Sequence, residues 1–206
     1  MKSQFLIALV LVLLRSLMSC HGGVLLSTLP RTILVSASPQ PGQVLKAGED
    51  TMTVKWSFNQ SVLTSQENET YKTIKATLCY APVSQDDRAW RKTFNDLSKD
   101  KTCQFTIVEE PYAAADANNA SARSFEWTIQ KYVPTATYFV RAYAYDSDGI
   151  EKAYGQTTDE KKTADLFRIE SISGRHASLE IAAGCFSAFA LASLFGLFWA
   201  EKAKKK

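Results

Sequence analysis

The sequence predicts a mainly β protein, an antiparallel β-sandwich outer domain with one short helical insert, joined to a single transmembrane helix. Three observations carry this. Several stretches in the middle of the chain alternate apolar and polar residues with a period of two, the pattern of half-buried strands. Near the C-terminus, Ile181 to Ala200 form an uncharged run of 20 residues, about 30 Å as a helix and enough for the hydrocarbon layer of a membrane. The N-terminus carries a lysine, an apolar run from Phe5 to Leu14, and then small residues, which is the layout of a secretory leader.

Taken in chain order, residues 1–22 read as a signal peptide cut after Gly22, with an uncleaved signal anchor as the alternative. "SPQPGQVLKAGED" then holds two prolines and two glycines, a turn-rich lead-in and sheet edge. In "TMTVKWSF", Met52, Val54, Trp56 and Phe58 share one face. "TIKATLCYA" repeats the pattern with Ile74, Ala76, Leu78 and Tyr80, and "SFEWTI" with Phe125, Trp127 and Ile129. "TYFVRAYAY" ends at the turn signal "DSDG". Between these strands, "SQDDRAWRKTFNDLSKDK" places Ser84 three residues before Asp87 like a capping box, and sets Trp90, Phe94 and Leu97 at helical spacing. The pairs Asp87/Arg91 and Lys92/Asp96 stand four apart. This stretch is expected to be an amphipathic helix. "AAADANNASA" reads as a solvated surface loop. The outer domain is expected to span 23–165, a juxtamembrane linker 166–180, the membrane helix 181–200 and a basic tail 201–206.

Topology follows from the flanking charges. "EKAKKK" after Trp199 predicts a cytosolic C-terminus and an outer domain facing the lumen or cell exterior. Three sequons, at Asn59, Asn68 and Asn119, all fall on the expected outer side as glycosylation candidates. With Cys20 in the leader and Cys185 in the span, Cys79 and Cys103 are the outer pair. In an oxidising compartment they are expected to form a disulfide worth about 3 kcal/mol, against the alternative of two free thiols. Lys202 and Lys204 read as part of a stop-transfer cluster, or resemble a dilysine retrieval signal.

Composition excludes several functions. The chain has 24 basic and 21 acidic residues. Lys2, Arg15, Lys202, Lys204, Lys205 and Lys206 lie in the end segments, which leaves the middle near neutral and without an electrostatic footprint for nucleic acid. Catalysis is poorly provided for: beyond the leader the one histidine is His176, beside the membrane, so a nucleophile has no plausible base. No His/Cys cluster stands at metal-ligand spacing, and no Gly-rich phosphate loop follows a strand. No catalytic residue, metal or cofactor is expected.

Two features point to binding instead. Gly184, Ala188, Ala192 and Gly196 recur every fourth residue, so one stripe of the membrane helix is nearly flat. In lipid, such a stripe permits the close backbone approach on which helix association depends. In the insert, Trp90 and Arg91 beside Asp96 and Asp100 are candidates for a docking patch, since aromatic and arginine side chains favour interfaces; the alternative is an ordinary solvated helix face.

Around "TVKWS" and "YVPTATY" the chain resembles immunoglobulin and fibronectin type III domains. The run Tyr132, Pro134, Tyr138 is similar to a tyrosine corner. Beyond that, "LVSASPQPGQVLKAGEDTMTVKW", "LCYAPVSQDDRAWRKTFNDLSKDKTCQF", "PTATYFVRAYAYD", the span and its lysine tail resemble the plant high-affinity nitrate transporter-activating proteins. That resemblance implies a non-catalytic accessory subunit. It implies binding to a polytopic high-affinity nitrate transporter at the plasma membrane, where the subunit serves the partner's delivery, stability or activity. A single-pass cell-surface module for wall polysaccharide or another protein is the alternative.

Overall fold

The computed structural model describes residues 23–59, 61–62, 69–113, 122–174 and 177–204. Among the described residues nine strands fall in the first of two compact units, which ends at Glu170. They are β1 (Ile33–Ala37), β2 (Val44–Lys46), β3 (Thr51–Phe58), β4 (Thr73–Tyr80), β5 (Cys103–Pro111), β6 (Arg123–Thr128), β7 (Ala136–Tyr145), β8 (Glu151–Gln156) and β9 (Phe167–Glu170). β3, β4 and β6 are the strands read from alternation, and β7 is the one read from its β-branched and aromatic content.

The strands build two sheets. The smaller has the order β1-β3-β6 and is antiparallel throughout. The larger runs β2-β9-β7-β4-β5, with β8 also paired to β7. Among the described strands one pair, β2 with β9, is parallel, and the rest are antiparallel, in keeping with the mainly antiparallel expectation. The parallel pair arises because the turn-rich lead-in returns along the end of the domain: the Gly42 amide donates to Leu166 O (2.7 Å) and the Arg168 amide to Gln43 O (2.8 Å).

The core lies between the sheets. Met52, Val54, Trp56 and Phe58 from β3 face Ile74, Ala76, Leu78 and Tyr80 from β4 and Tyr138, Val140, Ala142 and Ala144 from β7, all of them buried. Each large apolar side chain withdrawn from water here contributes about 1.5–3 kcal/mol. Tyr80 stacks on Tyr138 at 5.0 Å between ring centroids, with Phe105 edge-on to Tyr80. The Tyr138 hydroxyl donates to Pro134 O at 2.7 Å, the tyrosine corner expected from the sequence. β8 closes one side. A Cβ on Gly155 would stand 2.6 Å from the Ile33 carbonyl carbon, so only glycine lets β8 approach β1 so closely.

Two expectations are corrected. β4 is expected to be half-buried but, like β7, is covered on both faces: Cys79, Phe139, Arg141 and Tyr143 point away from the main core and are buried all the same. The segment after β4 and the segment after β8 lie over them. The domain also continues past 165, because β9 pairs with both β7 and β2; residues 167–170 belong to the sheet and not to a linker.

The second unit begins at Ser171. Its helix, α1 (Ala177–Lys204), contains the 181–200 run and extends it at both ends. Its apolar window has a mean hydropathy of 2.0, none of it buried within the protein. This is a helix long and apolar enough to cross a membrane.

A candidate docking face on the large sheet

The segment between β4 and β5 is not the expected helix. It holds two short 3-10 turns, Pro82–Ser84 and Ala89–Arg91. Its flanking cysteines form the Cys79–Cys103 disulfide, with their Cα atoms 4.0 Å apart. An 18-residue helix would carry the chain about 27 Å away, whereas these ends must meet. The expected cap is spent elsewhere: the Ser84 hydroxyl accepts the Thr137 amide at 2.7 Å. Asp87 sits at φ 57°, incompatible with a helix. Neither four-apart ion pair forms; Asp96 pairs with Lys99 at 3.0 Å instead.

Polar side chains hold the loop where a helix would use its backbone. Gln85 donates to Tyr80 O (3.0 Å), and its Oε1 accepts the Thr93 amide (3.1 Å). The Thr93 and Thr102 hydroxyls stand 2.8 Å apart. Asp100 Oδ1 accepts the Phe94 amide at 3.1 Å and the Thr102 hydroxyl at 2.6 Å.

Beneath the loop lies a charge that the sequence reading missed. The Arg141 side chain is 0% exposed and that of Asp100 5%, and they approach to 3.7 Å. Arg141 also donates to Gln156 Oε1 from Nε (3.2 Å) and Nη2 (3.0 Å), and to the Tyr143 hydroxyl (3.0 Å). The rings of Phe139, Tyr143 and Tyr154 surround it at 5.3–5.9 Å. Burial pushes the Tyr143 phenol above its ordinary pKa, against the pull of Arg141. Lys162, on the loop after β8, is held below the usual lysine pKa by burial and then by repulsion from Arg141, with Asp100 opposing. That loop is tied down by Asp159, whose carboxylate takes the Thr163 amide at 2.6 Å and the Ala164 amide at 3.1 Å. Those hydrogen bonds hold it well below the usual carboxylate range. The one sequence signal for this centre is "FVRAY": an arginine within an otherwise apolar strand.

The four candidate docking residues therefore separate. Trp90 is 59% exposed. Arg91, expected on the surface, is buried: its guanidinium lies 4.2 Å over the Tyr80 ring and donates to Ser84 O at 3.3 Å. Its Nε has no hydrogen-bond partner among the described residues. Asp100 is buried against Arg141, and Asp96 stands at the loop's rim, its side chain 24% exposed. The reading also missed Tyr132, 68% exposed and with its ring 6.1 Å from that of Phe105, which makes it a further exposed aromatic. Outside the insert, Asn59 Oδ1 accepts the Ser61 amide at 3.1 Å, while Asn68 and Asn119 lie outside the described residues. Gly184, Ala188, Ala192 and Gly196 are all exposed on α1.

The large sheet thus carries a buried polar centre under a disulfide-tethered loop, with Trp90 and Tyr132 exposed. A family model described as "High-affinity nitrate transporter accessory, Ig-like domain" matches residues 26–174. The chain belongs to this family. Membership of the nitrate transporter accessory family makes it an accessory protein and accounts for both the Ig-like sandwich and the absence of a catalytic constellation from the sequence. It is similar to the rice high-affinity nitrate transporter-activating protein 2.1, 46% identical over 182 residues that cover 88% of this chain and 83% of the relative. It is also similar to high-affinity nitrate transporter 3.1 of Arabidopsis thaliana, 49% identical over 166 residues, covering 81% and 75%. The rice probable activating protein 2.2 is 45% identical over 204 residues, 95% of this chain. The family match covers the whole sandwich, including the tethered loop and Arg141.

Proposed function

We propose that this chain is the single-pass subunit of a hetero-oligomer with a polytopic high-affinity nitrate transporter, needed for the transporter's delivery, stability or activity at the plasma membrane. The observation that carries the reading is the accessory-family match over the outer domain, and the activating role named for the rice relative is in keeping with it. The outer sandwich faces the cell exterior and α1 crosses the membrane, with the lysine tail in the cytosol.

Two contacts divide the work. In the outer domain, Trp90 and the rim around Asp96 meet the transporter's exterior loops, while Arg91 and Asp100 act from below by fixing the loop that presents them. In the membrane, the stripe of Gly184, Ala188, Ala192 and Gly196 packs against a transporter helix. Because one chain carries both contacts, each raises the effective concentration of the other, and modest affinities suffice. Glycans at Asn59, Asn68 and Asn119 lie on the same outer side.

Co-purification tests the pairing. Tagged transporter is expected to recover this chain from detergent extracts. Gly184→Leu combined with Ala188→Leu should lower recovery several-fold, and Trp90→Ala should lower it without changing the melting temperature. Recovery undiminished by all three substitutions would refute both contacts.

A further inference from the structure

We propose that the mature chain begins at Gly23 and that its α-ammonium group pairs with the Asp96 carboxylate, so that removal of the leader clamps the N-terminal segment onto the loop between β4 and β5.

The segment from Gly23 onward runs antiparallel to residues 95–98. The Leu26 amide donates to Asn95 O and the Leu97 amide to Val24 O, both at 2.8 Å, with Leu25 bridged opposite Asp96. Asn95 adds two side-chain bonds to Ser27, each 2.9 Å. The pairing brings the Gly23 backbone against Asp96. A Cβ at Gly23 would stand 2.9 Å from Asp96 Cγ and 3.1 Å from Ser98 Oγ. The amino nitrogen shares that Cα, which keeps it within about 5 Å of the carboxylate.

The Asp96 carboxylate is built to hold charge. Its Oδ1 accepts the Ser98 amide at 3.1 Å and the Ser98 hydroxyl at 2.6 Å. Its Oδ2 faces Lys99 at 3.0 Å, a lysine 70% exposed whose hold is correspondingly weak. Before cleavage, the nitrogen of Gly23 is a neutral amide. A signal peptidase adds water across the Gly22–Gly23 bond, leaving a carboxylate on Gly22 and an amine on Gly23 that takes up a proton, its ordinary pKa being about 8. Cys20 and Gly22 supply small residues third and first before the cut, as such an enzyme requires. A residue larger than glycine in position 23 would collide with its own counter-ion. The inference is independent of which partner the loop meets.

The test uses the full-length protein, expressed with its own leader in a secreting eukaryotic cell and purified from membranes. Intact mass is expected to place the first residue at Gly23. Trace labelling of the α-amine with acetic anhydride across pH 6–10 should titrate about one pH unit higher in the wild type than in Asp96→Asn. Lys99→Ala should move the midpoint up, and Gly23→Ala should move it down with Asp96 intact. A start at another residue, a retained leader, or equal midpoints in wild type, Asp96→Asn and Gly23→Ala would overturn the proposal. Because no transporter is present in the assay, its failure is distinct from failure of transporter docking.

Discussion

Arg141 carries a full charge into the face of a sheet where nothing of its side chain reaches solvent. Three hydrogen bonds to Gln156 and Tyr143 and an aromatic surround make this tolerable, and Asp100 supplies the opposite charge. Removing that charge leaves a buried guanidinium uncompensated, which costs about 3–5 kcal/mol. Asp100→Asn is therefore expected to lower Tm by about 10 °C or more in thermal melts of the purified protein; an unchanged melt would show that the pair is idle. Lys162 behaves oppositely. Its lowered pKa means that the fold disfavours the charged form, so stability is lost below the depressed pKa and recovered above the ordinary lysine value. Lys162→Met is expected to raise Tm at pH 7, and the gain should fade as pH rises toward about 10. A gain that persists at high pH would assign the effect to packing. At this scale the sequence was partly legible. Asp100 and Arg91 stood out by residue type, but type alone says nothing of burial, and both turned out to work beneath the surface on which they were sought.

The loop between β4 and β5 shows why element-level expectations fail in a particular way. Its apolar residues do recur at helical spacing, yet a disulfide across neighbouring strands demands that the chain return to its start, and closure overrides a weak local preference. β3, β4, β6 and β7 were legible because each presents several apolar residues in phase. β5 was not, since Val108 breaks the alternation set by Phe105 and Ile107, and the pairing itself shifts register twice along β4. β9 has only four residues, too few for a period to declare itself. β8 lacked bulk for a physical reason: Gly155 has to be small because Ile33 of β1 stands directly against it. Gly155→Val should accordingly lower the denaturant midpoint markedly, by 1–3 kcal/mol or more of overpacking, followed by tryptophan fluorescence. An unaltered midpoint would mean that β1 and β8 can separate at little cost.

At the scale of the molecule, the chain joins an Ig-like sandwich with a disulfide-tethered loop to a helix long and apolar enough to cross a membrane. The long C-terminal helix was readable from composition alone, because an uncharged apolar run of membrane length leaves little else for the segment to be. The partner was not readable from those properties; the order of residues through the tethered loop and β7 carried the resemblance that the family match bears out. The most direct measurement of the central claim is nitrate uptake, with surface labelling, in a heterologous cell expressing a high-affinity nitrate transporter with or without this chain. The account predicts uptake that rises at least several-fold when the chain is present, in step with surface transporter if it acts in delivery and beyond it if it acts in activation. Uptake and surface abundance unchanged by its presence, with the chain itself at the cell surface, would contradict the account.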